Sequence, residues 1–182
     1  MTTLLVKNIH TLATFDDEQR EIRRGALFVR DHVIEQVGTT DALPDTADEV
    51  LDLGDRHVVL PGLVNTHHHF FQSLTRAVPA AQNQELFGWL HSLYPLWSNI
   101  TAAMLQTAAQ MAAAELILSG CTTASDHSYL FPNDCTLDDE IRAIQAIGLR
   151  FHANRGSMSI GESQGGLPPD HLVESEAFIL RD

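Results

Sequence analysis

The chain has 182 residues, 44% of them hydrophobic and 19% charged, which is the balance of an ordinary globular protein. Its net charge of −13 argues against nucleic acid or an anionic membrane as the main partner, because both would repel an acidic surface. Two cysteines make no disulfide framework, and no apolar run approaches the roughly 18 residues of a membrane span, so we expect a cytoplasmic protein.

The first part of the chain, residues 1–57, has the pattern of a small β domain. Three stretches alternate apolar with polar residues and are divided by turn signals: TLLVKNIHTLATF, GALFVRDHVIEQVG and EVLDLGDRHVVLPG. Alternation of this kind is typical of strands that bury one face. It predicts a small, largely antiparallel, sandwich-like β domain.

From residue 58 the pattern changes to strands that alternate with helices. The apolar run VVLPGLV, residues 58–64, predicts a strand buried on both faces, and CTTASDH and LRFHANRG predict two more. One helix is expected from an N-cap at Thr101 to Gly120, and another from the capping-box pair Thr136 and Asp139 to Gly148. HLVESEAFILRD is expected to begin a further helix.

This alternation predicts an α/β fold with a parallel sheet and right-handed crossovers. A closed eight-stranded barrel needs about 250 residues, and residues 58–182 supply only three strand–helix units. We therefore expect the N-terminal part of a longer polypeptide.

Three consecutive histidines follow the first of these strands, in PGLVNTHHHFFQS. Along a strand, His67 and His69 point to one side and His68 to the other. Two imidazoles spaced in this way can bind one metal ion together, as in zinc sites. A polar loop without metal is the competing interpretation, but the position directly behind a buried strand favours a metal site, with a structural role for His68.

Polar residues also end the second and third predicted strands, where the carboxyl ends of parallel strands build sites. Asp126 and His127 could reach the histidines, or be satisfied by neighbouring groups. His152 is expected to line the core. Arg155 could bind a substrate carbonyl or pair with a carboxylate, and both alternatives stay open. The aromatic stretch LFGWLHSLYPLW favours core packing over a substrate lid.

The β unit followed by LPGLVNTHHH resembles the amidohydrolase superfamily, in its branch of purine and triazine deaminases and chlorohydrolases. The resemblance covers essentially the whole chain. Three stretches are similar to the 8-oxoguanine deaminases within that branch: VLPGLVNTHHHFFQSLTRAVPAAQ, SGCTTASDHSYLFPN and RFHANRGSMSIGESQGGLPPD. The resemblance implies the N-terminal part of a (β/α)8 TIM-type barrel in residues 58–182, beside the small β domain.

The resemblance also implies a site. One divalent metal ion, most often zinc, would be held by His67 and His69, with Gln72 directed at a purine ring. The family takes its other ligands and its proton-shuttling glutamate from later strands, so no catalytic acid or base is expected within these 182 residues.

The activity that the resemblance implies is hydrolytic deamination of an oxidised purine base, 8-oxoguanine, to urate and ammonia. A guanine- or adenosine-type deaminase and an s-triazine chlorohydrolase share the scaffold and stay as alternatives. A non-catalytic metal-binding or assembly segment, and an α/β protein with a polar loop and no metal, are alternatives of other classes. A small-molecule purine is the expected partner, and a homo-oligomer is expected for the full-length protein.

Overall fold

A computed structural model describes residues 1–181, in which the chain divides into two units, Met1–Pro61 and the residues from Gly62 onward. The sequence placed the end of the small β domain at residue 57. Each unit has its own sheet and its own buried clusters. Within the described residues, no helix is both long and apolar enough to cross a membrane.

The first unit is one sheet with five strands in the described part of the chain: β1 (Thr3–Ala13), β2 (Glu21–Arg30), β3 (Val33–Thr39), β4 (Glu49–Asp52) and β5 (Val58–Val59). β1, β2 and β3 pair antiparallel, while β4 and β5 both pair parallel with β1. The long β1 offers room for two short strands along its second edge. The predicted antiparallel strands are therefore present, but they form one mixed sheet and not two stacked ones.

The second unit has a parallel sheet in the order β6 (Leu63–Asn65), β7 (Cys121–Ser128) and β8 (Arg150–Arg155). Up to residue 181, four helices accompany it: α1 (Leu86–Trp97), α2 (Ala102–Leu118), α3 (Leu137–Ile147) and the short α4 (Glu176–Ile179). Short 3-10 segments lie at Phe70–Thr75, Pro79–Ala81, Glu162–Gln164 and Asp170–Leu172, and another in the first unit at Thr40–Ala42. The predicted α/β class and parallel sheet are confirmed.

Two predicted elements were wrong in extent. The run at residues 58–64 is two strands, β5 in the first sheet and β6 in the second, because Pro61 has no N–H to continue a ladder. The final helix was predicted from residue 171, but it begins at Glu176, where the Ser175 hydroxyl accepts the Phe178 N–H. Asp182, its predicted last residue, lies outside the described residues.

The predicted ends of α2 and α3 are confirmed. The Thr101 hydroxyl accepts the Met104 N–H, and the Asp139 carboxylate accepts the backbone N–H of Thr136 at 2.9 Å. Gly120 and Gly148 follow the two helices with φ of +88°, a left-handed conformation that glycine adopts without strain. Both helices therefore start and stop where the chain must return to the sheet.

The core of the second unit brings the residues after β6 against α2. Four alanines on one side of α2 are buried, so the helix packs closely: Ala108, Ala109, Ala112 and Ala113. Phe70, which is fully buried, packs in this cluster and stacks on Phe151 at 5.6 Å. Phe71 belongs to a second cluster with Tyr94 and Trp97. Core packing is thus confirmed for the latter part of the aromatic stretch, while Phe87 is 68% exposed.

Candidate metal centre

The three histidines lie directly after β6 and not on it. The strand ends at Asn65, whose side-chain oxygen accepts the His67 N–H at 3.0 Å and so turns the chain. The rings of His67 and His69 nevertheless lie next to each other, nearly perpendicular, with centroids 5.3 Å apart. The ring of His68 packs edge-on against Phe70 at 4.6 Å. The alternation expected along a strand does not apply at these positions, because β6 ends at Asn65, and all three histidines border the same cavity.

The end of β7 fixes the orientation of His69. Its Nδ1 lies 2.8 Å from the carbonyl oxygen of His127. Because a carbonyl only accepts, Nδ1 must carry the proton, and the lone pair is then on Nε2. Burial lowers the pKa of His69, so the ring is neutral near pH 7, which is the form that binds metal. The backbone N–H of His127 also donates to the carbonyl of His68, at 3.0 Å.

Asp126 holds Phe70, the residue that follows His69. Its side chain is buried, and Oδ1 accepts the Phe70 N–H at 2.7 Å. Burial, with a further contribution from the nearby charge of Glu140 on α3, raises the pKa of Asp126 to about 9. Asp126 and His127 therefore act on the histidines through hydrogen bonds to the backbone and to one ring. Glu140 was missed by the sequence reasoning, because nothing in its helical pattern marks it as a partner of Asp126.

The histidines border an open cavity of about 480 Å³. Gln72 and Trp89 line it too, together with His67, His68, His69, Ser73, Thr75 and Arg76. Gln72 lies in the turn Phe70–Thr75, and its side-chain Nε2 donates to the hydroxyl of Tyr129 at 3.2 Å. The structure therefore brings Gln72 to the predicted histidine pair. It adds Trp89, which the sequence assigned to the core, and Tyr129, which the sequence reasoning did not single out.

Arg155 lies elsewhere. It forms a bidentate ion pair with Glu174, at 2.6 and 2.9 Å, and its guanidinium stacks over Phe131. These groups border a separate cavity of about 590 Å³ beside the start of α3. Of the two alternatives for Arg155, the structure shows the pairing with a carboxylate; a role toward a substrate stays a prediction.

His152 is exposed, so the expectation that it lines the core was wrong within the described residues. Its neighbour Phe151 turns toward the helices, where it stacks on Phe70. Alternation along β8 then places His152 on the other face, opposite Ser125 of β7. Asn154 shares that face and donates to the Ser125 hydroxyl at 2.6 Å.

The donors present fit part of a metal site. Two imidazoles lie side by side at the border of a cavity, with their ring centroids 5.3 Å apart, and zinc is commonly bound by imidazole nitrogens. Among residues 1–181, no group of three or more histidine, cysteine, aspartate or glutamate side chains is placed to hold a metal ion. Among the described residues, His67 and His69 could thus supply two ligands of such a site.

Comparison with known proteins shows to which family the chain belongs. The sequence profile of the amidohydrolase family matches residues 58–179. The chain belongs to the amidohydrolase family. It is 47% identical over 161 residues to 8-oxoguanine deaminase of Pseudomonas aeruginosa, which is 87% of this chain and 36% of that protein. It is 33% identical over 197 residues to hydroxydechloroatrazine ethylaminohydrolase of Pseudomonas sp. strain ADP, covering 100% of this chain and 40% of the relative.

A solved structure gives the same result for the fold. Atrazine chlorohydrolase of Arthrobacter aurescens, solved in complex with zinc, matches 98% of this chain and 41% of its own with a TM-score of 0.88 and 28% identity. The present amidohydrolase chain therefore spans less than half the length of these relatives. The predicted resemblance to the family is confirmed.

Proposed function

We propose that this chain is the N-terminal part of a metal-dependent deaminase that hydrolyses 8-oxoguanine to urate and ammonia. The observation that carries the proposal is the pair of adjacent imidazoles, His67 and His69, with Gln72 on the wall of the same cavity. The 47% identity to an 8-oxoguanine deaminase supports the choice of substrate. In this proposal the three β/α units begin a (β/α)8 barrel, and the protein acts on a small purine in the cytoplasm as a homo-oligomer.

His67 and His69 would hold one divalent ion, and zinc is the preferred candidate because a solved relative binds it. When bound, such an ion lowers the pKa of water toward neutrality and so supplies a nucleophile for hydrolysis. His69 would contribute its Nε2, because its Nδ1 proton is donated to the His127 carbonyl. That hydrogen bond also fixes the direction in which the ring presents its lone pair.

The purine would be read by Gln72 and Trp89. The carboxamide of Gln72 both donates and accepts, which suits the alternating donors and acceptors at the edge of a purine. Trp89 is half-buried in the wall of the same cavity and offers an aromatic face on which a planar base can stack. The proton-transferring acid and base are not assigned to any residue of this chain.

The test uses purified full-length protein and three single variants. His67→Ala and His69→Ala should remove most of the bound metal, measured by elemental analysis, whereas His68→Ala should keep it, because its ring packs against Phe70. Equal metal loss in all three variants would contradict the assignment of ligands.

Substrate choice is tested with Gln72→Ala. This variant should keep its metal but lose roughly 10- to 100-fold in kcat/KM toward 8-oxoguanine, because an unpaired buried polar group costs about 1–3 kcal/mol. Guanine, adenosine and a chlorinated s-triazine serve as competing substrates for the wild-type protein. A preference for the triazine or for guanine would replace the proposed activity by one of the related ones.

A further inference from the structure

Glu140 is a fully buried carboxyl group to which the proposed function assigns no role. It lies on the face of α3 that packs on the sheet, together with Ala143 and Ile144. The Asp126 carboxyl and the Ser128 hydroxyl of β7 lie next to it, and both residues are buried as well. Bulk water does not reach these three polar side chains, so their atoms have to satisfy one another.

The hydrogen bonds of this group are complete only if the two carboxyls share a proton. Asp126 Oδ2, Ser128 Oγ and both oxygens of Glu140 have no hydrogen-bond partner among residues 1–181. Since carboxylates only accept, these atoms amount to three acceptors and one hydroxyl donor. One proton on Asp126 Oδ2 makes that atom a donor to one Glu140 oxygen and leaves the other oxygen for the Ser128 hydroxyl. Two carboxylates that share a buried site also repel each other, which favours the same arrangement.

Asp126 connects Glu140 to the histidine segment. Its Oδ1 accepts the Phe70 N–H at 2.7 Å, and Phe70 directly follows His69. The ring of His68 does not take part, because its Nδ1 lies 3.9 Å from Asp126 Oδ1, which is too far for a hydrogen bond. A side chain of α3 is thus joined through Asp126 to the backbone beside a proposed metal ligand.

We propose that Glu140 is a positioning residue of the metal centre: it shares one proton with Asp126, and the pair holds the Phe70 N–H and with it the adjacent His69. The inference rests on the proposed function, in which His67 and His69 bind the metal ion. An apolar side chain in place of Glu140 leaves Asp126 Oδ2 without a partner, and the carboxyl is then free to rotate away from Phe70. Removal of an outer group that holds a metal ligand in place lowers metal affinity about 10- to 100-fold.

The first test measures zinc affinity by titration of metal-free full-length protein. Glu140→Met keeps the length of the side chain, removes the carboxyl and should weaken zinc binding about 10- to 100-fold. Glu140→Leu is a second apolar variant, so that the result does not depend on how well one side chain fits. Glu140→Gln keeps both a donor and an acceptor beside Asp126 and should restore most of the affinity. Asp139→Ala, the matched control, removes the partner of Thr136 at the start of the same helix and should keep the affinity.

A merely structural role of Glu140 gives a different result. It would lower the free energy of unfolding in the apolar variants, as in Asp139→Ala, and leave the zinc affinity of the folded protein as in wild type. Wild-type affinity in a folded apolar variant would therefore overturn the proposal. A Glu140→Gln variant that binds zinc as weakly as Glu140→Met would overturn it too, because the hydrogen bonds to Asp126 would then not be what matters.

Hydrogen exchange of the metal-free full-length protein tests the step from Glu140 to Phe70 without metal or turnover. Peptides that contain the Phe70 amide should exchange faster in Glu140→Met and at the wild-type rate in Glu140→Gln, because this N–H keeps its acceptor only where Asp126 is held. Unchanged exchange in Glu140→Met refutes the role of Glu140, while the proposed function stands if wild type binds zinc. If wild type binds no zinc, the proposed function fails and the positioning role fails with it.

Discussion

Thr75 links the turn that carries Gln72 to the aromatic core. Its hydroxyl accepts the indole N–H of Trp97 at 3.0 Å and donates to the Gln72 carbonyl at 3.2 Å. Trp97 is fully buried, so its N–H has no water to replace this partner. Thr75→Val keeps the shape of the side chain and removes only the hydroxyl. A buried donor left without a partner costs about 1–3 kcal/mol, and we expect the free energy of unfolding to fall by that amount.

The matched variant is Thr75→Ser, which keeps the hydroxyl and loses one methyl group from a half-buried side chain. Its cost should stay below about 0.8 kcal/mol, the value of one fully buried CH₂ group. Denaturant unfolding of the full-length proteins, followed at matched protein concentration, gives the two values. If Thr75→Val is as stable as Thr75→Ser, the hydrogen bond to Trp97 does not have the assigned importance.

A double-mutant cycle with Trp97→Phe isolates the pair. In Trp97→Phe the donor is absent, so removal of the Thr75 hydroxyl no longer leaves a buried N–H unpaired. The loss of stability in the double mutant should therefore be smaller than the sum of the two single-mutant losses by about 0.5–3 kcal/mol, the range for residues in contact. Additive losses would refute the reasoning.

Two further changes test the helix start and the support of the histidines. Asp139→Ala removes the acceptor for the Thr136 hydroxyl and N–H and should cost about 0.5–2 kcal/mol of stability in denaturant unfolding. The hydrogen bond from the Thr136 hydroxyl, followed by that from its N–H, lowers the pKa of Asp139. The contribution is therefore fully present above the unfolded pKa of the carboxyl and is lost as the pH falls through the lower folded pKa, so wild type and variant should converge in acid. Gly156→Ala would place a Cβ against the ring of His127 and 2.8 Å from the Tyr129 Cβ, so it should lower the metal content, whereas Gly148→Ala, whose Cβ meets nothing within 4 Å, should cost stability through its φ of +88° and keep the metal.

The parts of the fold that were predictable are those that depend on near neighbours in sequence. A cap such as Thr101 and a terminal glycine such as Gly148 act within one helical turn, so the sequence alone places them. The run at residues 58–64 failed because apolar composition shows that a segment is buried but not which sheet buries it. The turn Phe70–Thr75 gave no signal, because its hydrogen bonds span three residues and produce no 3.6-residue pattern.

The same distinction applies to the site. The spacing of His67 and His69 directly behind a predicted strand pointed to this pair, and the resemblance to the family added Gln72, three residues further on. Tyr129 and Glu140 lie more than 50 positions further along the chain, and only the pairing of β6 with β7 and the packing of α3 bring them near. Residues whose role depends on such contacts carry no local pattern that a single sequence reveals.

The histidine segment owes its position to β7 more than to its own sequence. After β6 ends, three hydrogen bonds join this segment to the end of β7: the His68 carbonyl accepts the His127 N–H, the His69 ring donates to the His127 carbonyl, and the Phe70 N–H donates to the Asp126 carboxyl. Two of these bonds use the backbone of His127, which any residue would supply, and only the third needs a particular side chain, the carboxyl of Asp126. Substitution of the His127 side chain should therefore disturb the metal ligands less than substitution of Asp126. The pairing register of β7 with β6 then sets where the proposed ligands His67 and His69 lie, because a shift of one residue would carry all three hydrogen bonds away from the segment.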